Sequence, residues 1–134
     1  MIVVDTNLLV YLWVRGDRTA AAEAVLSRDP VWAAPVLWRS EFRSALLGFM
    51  RRGVTTVEAA VHVAAQAERM MAGHEYSAQS HRVLRLAERS PCSAYDCEFV
   101  AIAQDLGVPL VTADEAVLTA FPTVAVRPET FVAS

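Results

Sequence analysis

Met1-Ile2-Val3-Val4-Asp5-Thr6-Asn7 opens the chain: a β-branched run from Ile2 to Val4 passes without alternation into three short polar side chains. A strand with no polar alternation suits burial on both faces, as in a parallel sheet covered by helices above and below. Residues that follow such a strand project into the crevice at the carboxyl edge of the sheet, where α/β folds bind their ligands. Asp5 is therefore expected at the mouth of a site.

The chain beyond it alternates helical and strand patterns. Asn7 to Trp13 reads as a short buried helix, capped by Thr6 or Asn7 and ended by Gly16. Asp17 is the expected N-cap of a second helix through Leu26, and Val31-Trp32-Ala33-Ala34 is a second strand. Pro35 suits the first turn of a third helix, about Val36 to Arg52, whose apolar stripe is Trp38, Phe42, Ala45, Leu46 and Phe49. Glu41 lies at the edge of that stripe, with Arg39 and Arg43 on the opposite flank.

Thr55-Thr56-Val57-Glu58 carries a capping box for a fourth helix, with an expected core face of Val57, Ala60, Val61, Ala64, Ala67 and Met71. Gly73 to Tyr76 reads as a loop. A fifth helix starts at Ser77 or Ser80, and a sixth opens at Ser93 and stops at Gly107. Val108 to Thr112 is a third strand, a short helix runs to about Ala120, and Val124 to Val126 is the last strand. The pattern predicts a single domain, residues 1–134, built on one mostly parallel sheet with helices on both faces.

Composition narrows the chemistry. All twelve basic residues are Arg, which removes every mechanism that needs a lysine: a P-loop, a Schiff base or a Ser-Lys dyad. Five scattered Gly leave no phosphate-cradling loop. A net charge of −3 argues against a strongly basic nucleic-acid clamp, yet bound divalent cations reverse the local sign at an acidic site. Cys92 and Cys97 match no zinc or redox spacing and read as reduced thiols of a cytoplasmic protein. No stretch reads as a membrane span or signal peptide.

Four acids carry the functional reading. Asp5 and Asp114 follow strands, Asp96 begins a helix in the crossover before the third strand, and Glu41 enters on the first turns of a crossover helix. Taken singly, each has a plain explanation: Asp5, Asp96 and Asp114 as helix-capping residues, Glu41 as a solvated helix face. Taken together, they gather at one edge of a parallel sheet. Carboxylates crowded there repel one another, and hard oxygen-preferring ions, Mg²⁺ or Mn²⁺, resolve the conflict. Such a site suits phosphoester hydrolysis, with Asn7 and Thr112 orienting ligands by hydrogen bonds.

These residues also resemble a family. Ile2-Val3-Val4-Asp5-Thr6-Asn7, Arg39-Ser40-Glu41-Phe42, Tyr95-Asp96 leading into Val100-Ala101-Ile102-Ala103, and Leu110-Val111-Thr112-Ala113-Asp114 are similar, in order and spacing, to PIN-domain ribonucleases. The likeness is to VapC-type toxins of toxin–antitoxin pairs. It implies a three-layer α/β/α sandwich with about four to five strands. It implies Asp5, Glu41, Asp96 and Asp114 as the acidic quartet, with Asp5 and Asp96 as the firmest metal ligands. The implied activity is Mg²⁺- or Mn²⁺-dependent endonucleolytic cleavage of RNA, leaving a 5′-phosphate and a 3′-hydroxyl. The implied partners are a VapB-type antitoxin and a second copy of the chain, with no membrane. Glu115, directly beside Asp114, is not assigned the role of the additional acid found in many relatives.

Two other classes compete. A phospho-acceptor or phosphatase module on Asp5 is disfavoured by the missing Lys and by Asn7 where a second acid is expected. A non-catalytic PIN-like binding protein is disfavoured by the intact quartet. His62, His74 and His81 have no metal spacing, and Trp13, Trp32 and Trp38 fall on apolar faces. Arg39, Arg43, Arg51 and Arg52 form the one local basic cluster, a solvated helix face or a set of phosphate contacts.

Overall fold

The computed structural model describes every residue, 1–134. The elements in order are β1 (Ile2–Val4), α1 (Thr6–Trp13), α2 (Thr19–Arg28), β2 (Trp32–Pro35), α3 (Trp38–Arg51), α4 (Val57–Met71) and β3 (Glu75–Tyr76). Then come α5 (Ser80–Glu88), α6 (Ala94–Leu106), β4 (Leu110–Val111), α7 (Glu115–Ala120), β5 (Ala125–Val126) and α8 (Pro128–Ala133). The five strands form one all-parallel sheet in the order β3-β2-β1-β4-β5.

β1 is central, and Ile2, Val3 and Val4 are essentially sealed from solvent, as a strand covered on both faces requires. From β1 the chain moves outward to β2 and β3, then crosses back to β4 on the other side. The order therefore reverses between β1 and β4, the switch point at which open α/β sheets form a crevice. There the Asp5 N–H donates to the Val111 carbonyl at 3.3 Å, holding the two strand ends together.

Helices α1 to α4 pack among themselves, α5 packs on α6, and α6 lies over β1, β2 and β4. Right-handed crossovers with a reversal after β3 put these two groups on opposite faces. A continuous core of 29 buried residues fills the sandwich, Trp32, Trp38 and Phe42 being its largest members. No helix is long and apolar enough to cross a membrane.

Several local expectations fail, each for a tertiary reason. Glu75 and Tyr76, expected in a loop, add a parallel edge strand to β2. Pro35 ends β2 instead of starting α3. Ala34 and Val36 donate to His74 and Tyr76 of the edge strand, so the donor Pro35 lacks falls on the β1 side, past the last register pair Val3–Ala33. Asp17 does not cap α2, whose N-cap is Arg18. The hydroxyl of Thr19 fastens that turn instead, donating to the Tyr11 carbonyl and accepting from the Gly16 N–H.

On α4, Thr56 is the N-cap and accepts from the Ala59 N–H. Ala60, Ala67 and Met71 are buried, but Val57 and Val61, expected in the core, are 51% and 64% exposed. α8 was not anticipated; Pro128 in its first turn, following Arg127, is the N-terminal proline signal that marks it.

Candidate active site

The four acids meet. Asp5, Glu41, Asp96 and Asp114 line one cavity of about 140 Å³, together with Thr6, Asn7 and Thr112, over an apolar floor of Phe99, Leu110 and Val117. Each acid arrives by a different local device.

Asp5 sits between β1 and α1 and caps the helix itself, a role expected of Thr6 or Asn7: its Oδ1 accepts the Leu8 N–H at 3.0 Å. Its Oδ2 accepts the Thr112 hydroxyl at 2.5 Å, across the seam between β1 and β4. Thr112 in turn accepts the Asp114 N–H at 3.1 Å, which commits the hydroxyl proton to Asp5. The expected orienting role of Thr112 thus has a specific partner, whereas Asn7 lies exposed on the cavity wall.

Asp96 occupies the third helical position of α6 in a reciprocal capping box, its Oδ2 accepting the Ser93 N–H while the Ser93 Oγ accepts the Asp96 N–H. Asp114 is the N-cap of α7 and accepts the Val117 N–H at 3.1 Å. The capping explanations are therefore correct for Asp5, Asp96 and Asp114, and the same caps aim these side chains at the cavity. Glu41 is in the first turn of α3, and its Oε1 accepts the Thr6 hydroxyl at 2.6 Å.

Cys92 and Cys97, both free and buried, occupy the positions just before the cap and one turn inside α6. This is the placement of a hydrophobic staple, which fixes the helix start that carries Asp96.

No basic side chain lines the cavity. None of the four acids takes part in an ion pair: Arg39 pairs with Glu75 and Glu68, Arg82 with Asp105, Arg127 with Glu115, and the N-terminus with Asp29. Arg39, read as part of a basic face, is committed to a bidentate contact with Glu75 on β3, and Glu115 is turned away to Arg127.

The electrostatic consequence falls on Asp5. Burial pushes its carboxyl above the ordinary carboxylate range, and the negative charges of Asp114 and Glu41 push the same way. The hydrogen bonds from Thr112 and Leu8 pull it back without cancelling the rise. Glu98, one helical turn into α6, is also raised, first by burial and then by the charge of Glu41. The sequence reading missed Thr6 and Glu98. The apolar residues Phe99, Val100 and Ile102 that follow Glu98 marked only its helix, and no local pattern pairs residue 6 with residue 41.

No three His, Cys, Asp or Glu side chains converge closely enough to ligate one ion by themselves. Mg²⁺ characteristically takes one or two carboxylates and keeps several waters. An all-oxygen, cation-free cavity therefore fits such an ion, and does not fit a fully protein-caged one.

The chain belongs to the PIN domain family, whose model matches residues 2–122. Among solved structures it is similar to PAE2754 from Pyrobaculum aerophilum, with 22% identity, a TM-score of 0.76 and coverage of 98% of this chain and 93% of that one. It is also similar to a chain of a toxin–antitoxin complex from Klebsiella pneumoniae, with 18% identity, a TM-score of 0.70 and coverage of 96% and 98%. A third is FitAcB from Neisseria gonorrhoeae, with 14% identity, a TM-score of 0.74 and coverage of 96% and 99%. These likenesses establish the fold. No curated protein matches the sequence at a significant level.

Proposed function

We propose that this protein is a Mg²⁺- or Mn²⁺-dependent endoribonuclease and the toxin of a VapBC-type toxin–antitoxin pair. The observation that carries the nuclease reading is the cavity itself: four carboxylates, two of them held by threonine hydroxyls, and no cationic side chain among them. Membership of the PIN family and the full-length likeness to a chain from a toxin–antitoxin complex support the same reading.

Asp5 and Asp96 are the residues that would hold the ion, with Glu41 and Asp114 completing the acidic wall. When bound, the ion supplies a polarised phosphate and an acidified water, and offsets charge on the transition state. The protein's own part is to hold that ion and the RNA phosphate in register. The Leu8 N–H and Thr112 fix both oxygens of Asp5, and the Ser93 box fixes Asp96. Exposed arginines outside the cavity, such as Arg43 and Arg51, are available to strand phosphates. A second copy of the chain and an antitoxin both need apolar surface. The groove between α3 and α4, with Leu47, Met50, Val57 and Val61, is apolar surface of that kind.

The test is cleavage of total cellular RNA by antitoxin-free protein with Mg²⁺, with Mn²⁺ and with chelator. Discrete metal-dependent cuts are expected, abolished by Asp5→Asn and by Asp96→Asn and retained by Glu115→Gln. Cleavage that survives Asp5→Asn, or that persists in chelator, refutes the proposed site.

A further inference from the structure

We propose that Thr6 is a positioning residue of the acidic site, its hydroxyl holding one oxygen of Glu41 so that the cavity's affinity for a divalent ion depends on it. The inference rests on the metal-dependent reading above.

Thr6 is the first residue of α1, and only 8% of it is exposed. A buried hydroxyl must find a partner. Its usual local uses are closed: the N-cap role belongs to Asp5, and a threonine at the start of a helix has no carbonyl one turn back within that helix. The remaining acceptor is Glu41 Oε1, at 2.6 Å and 35 residues away in sequence. In this bond the hydroxyl donates and the Glu41 oxygen accepts.

The contact matters more to Glu41 than to Thr6. Glutamate has three side-chain torsions, and Glu41 makes no ion pair and no second side-chain hydrogen bond. Thr6 is thus the one polar restraint on an acid of the cavity wall, and it leaves Oε2 as the free oxygen. The arrangement repeats what Thr112 does for Asp5. In both pairs a buried threonine from one element fixes a carboxylate presented by another, the usual way in which supporting hydrogen bonds tune a metal site.

Mn²⁺ binding to the full-length protein, read by calorimetry, tests this without relying on cleavage. Thr6→Val keeps the shape and removes the hydroxyl, and should weaken Mn²⁺ binding about 10- to 100-fold. Thr6→Ser keeps the hydroxyl and should restore most of the affinity. In a Glu41→Gln background, Thr6→Val should add little further loss, because the two residues act as one unit. Thermal unfolding confirms that each variant is folded, and Thr6→Ala replaces the valine variant if valine is not tolerated.

Unchanged affinity in Thr6→Val overturns the proposal. So does a loss in the serine variant as large as that in the valine variant, because serine retains the hydroxyl. Failure of the wild-type protein to bind Mn²⁺ would instead sink the metal reading itself, which separates the two failures.

Discussion

Replacing Thr112 by valine should cost the protein stability in a way that depends on the charge of Asp5. The Thr112 side chain is 2% exposed and makes two hydrogen bonds, to Asp5 Oδ2 at 2.5 Å and from the Asp114 N–H at 3.1 Å. Valine fills the same space and makes neither. Loss of a donor to an ionised group costs about 1.5–3 kcal/mol, and loss of a neutral bond about 0.5–1.5 kcal/mol. Asp114 is exposed, so water takes its freed N–H, and the second loss falls at the low end. The sum is about 2–3.5 kcal/mol at neutral pH. With an unfolding entropy of about 2.1 cal/mol/K per residue over 134 residues, that lowers Tm by roughly 7–12 °C.

The pH dependence isolates the cause. The Asp5 pKa in the folded protein already lies above its ordinary value because of burial. Without Thr112 it rises further. A carboxyl whose folded pKa is raised leaves stability intact below its unfolded value, near 3.9, and removes it as pH climbs through the folded one. The deficit of Thr112→Val should therefore be larger at pH 7 and shrink to about 1–2 kcal/mol at pH 3, where a neutral Asp5 leaves only neutral hydrogen bonds to lose. Denaturant unfolding in chelator, at both pH values, measures it. An equal deficit at both would refute the idea that the hydroxyl acts through the charge on Asp5.

Two further predictions follow from the same electrostatics. Asp5→Asn should stabilise the metal-free protein at pH 7 by about 1 kcal/mol while abolishing cleavage. Asparagine caps α1 equally well, and the gain should vanish in acid, where Asp5 is already uncharged; calorimetric unfolding in chelator would show loss of stability if this is wrong. Arg39→Met should destabilise by about 1 kcal/mol, the worth of a partly buried bidentate pair. The Arg39 hydrogen bond holds the Glu75 carboxyl below its usual range, so that stability is present above the ordinary glutamate value and lost as pH falls. Faster hydrogen exchange at the Val36 N–H, which bonds Tyr76 on the edge strand, should accompany the change; unaltered exchange would contradict it.

The site was legible to the degree that it is built from local signals. Asp5 follows an unalternating apolar strand, Asp96 sits in the Ser93 box, and Asp114 starts a helix after Leu110-Val111. Each can be recognised within a window of a few residues, and parallel-sheet geometry then brings the three to one edge. What was misread depended on distant partners. Glu75-Tyr76 is two residues long and becomes a strand only because β2 presents an open edge. Val57 and Val61 fit a core stripe by periodicity, yet α4 buries only the Ala60, Ala67 and Met71 part of that stripe and leaves the two valines exposed.

The sequence by itself determined the class of fold and the local placement of Asp5, Asp96 and Asp114, because apolar periodicity and helix capping are written into adjacent residues. Only the tertiary structure decided how those acids are held. Thr6 reaches Glu41 across 35 residues and Thr112 reaches Asp5 across 107, and Arg39 is withdrawn from the basic face by Glu75 and Glu68. A hydroxyl or a guanidinium has many acceptors within reach of its residue type. Which one it takes is set by the neighbour that packing leaves beside it once water has been excluded.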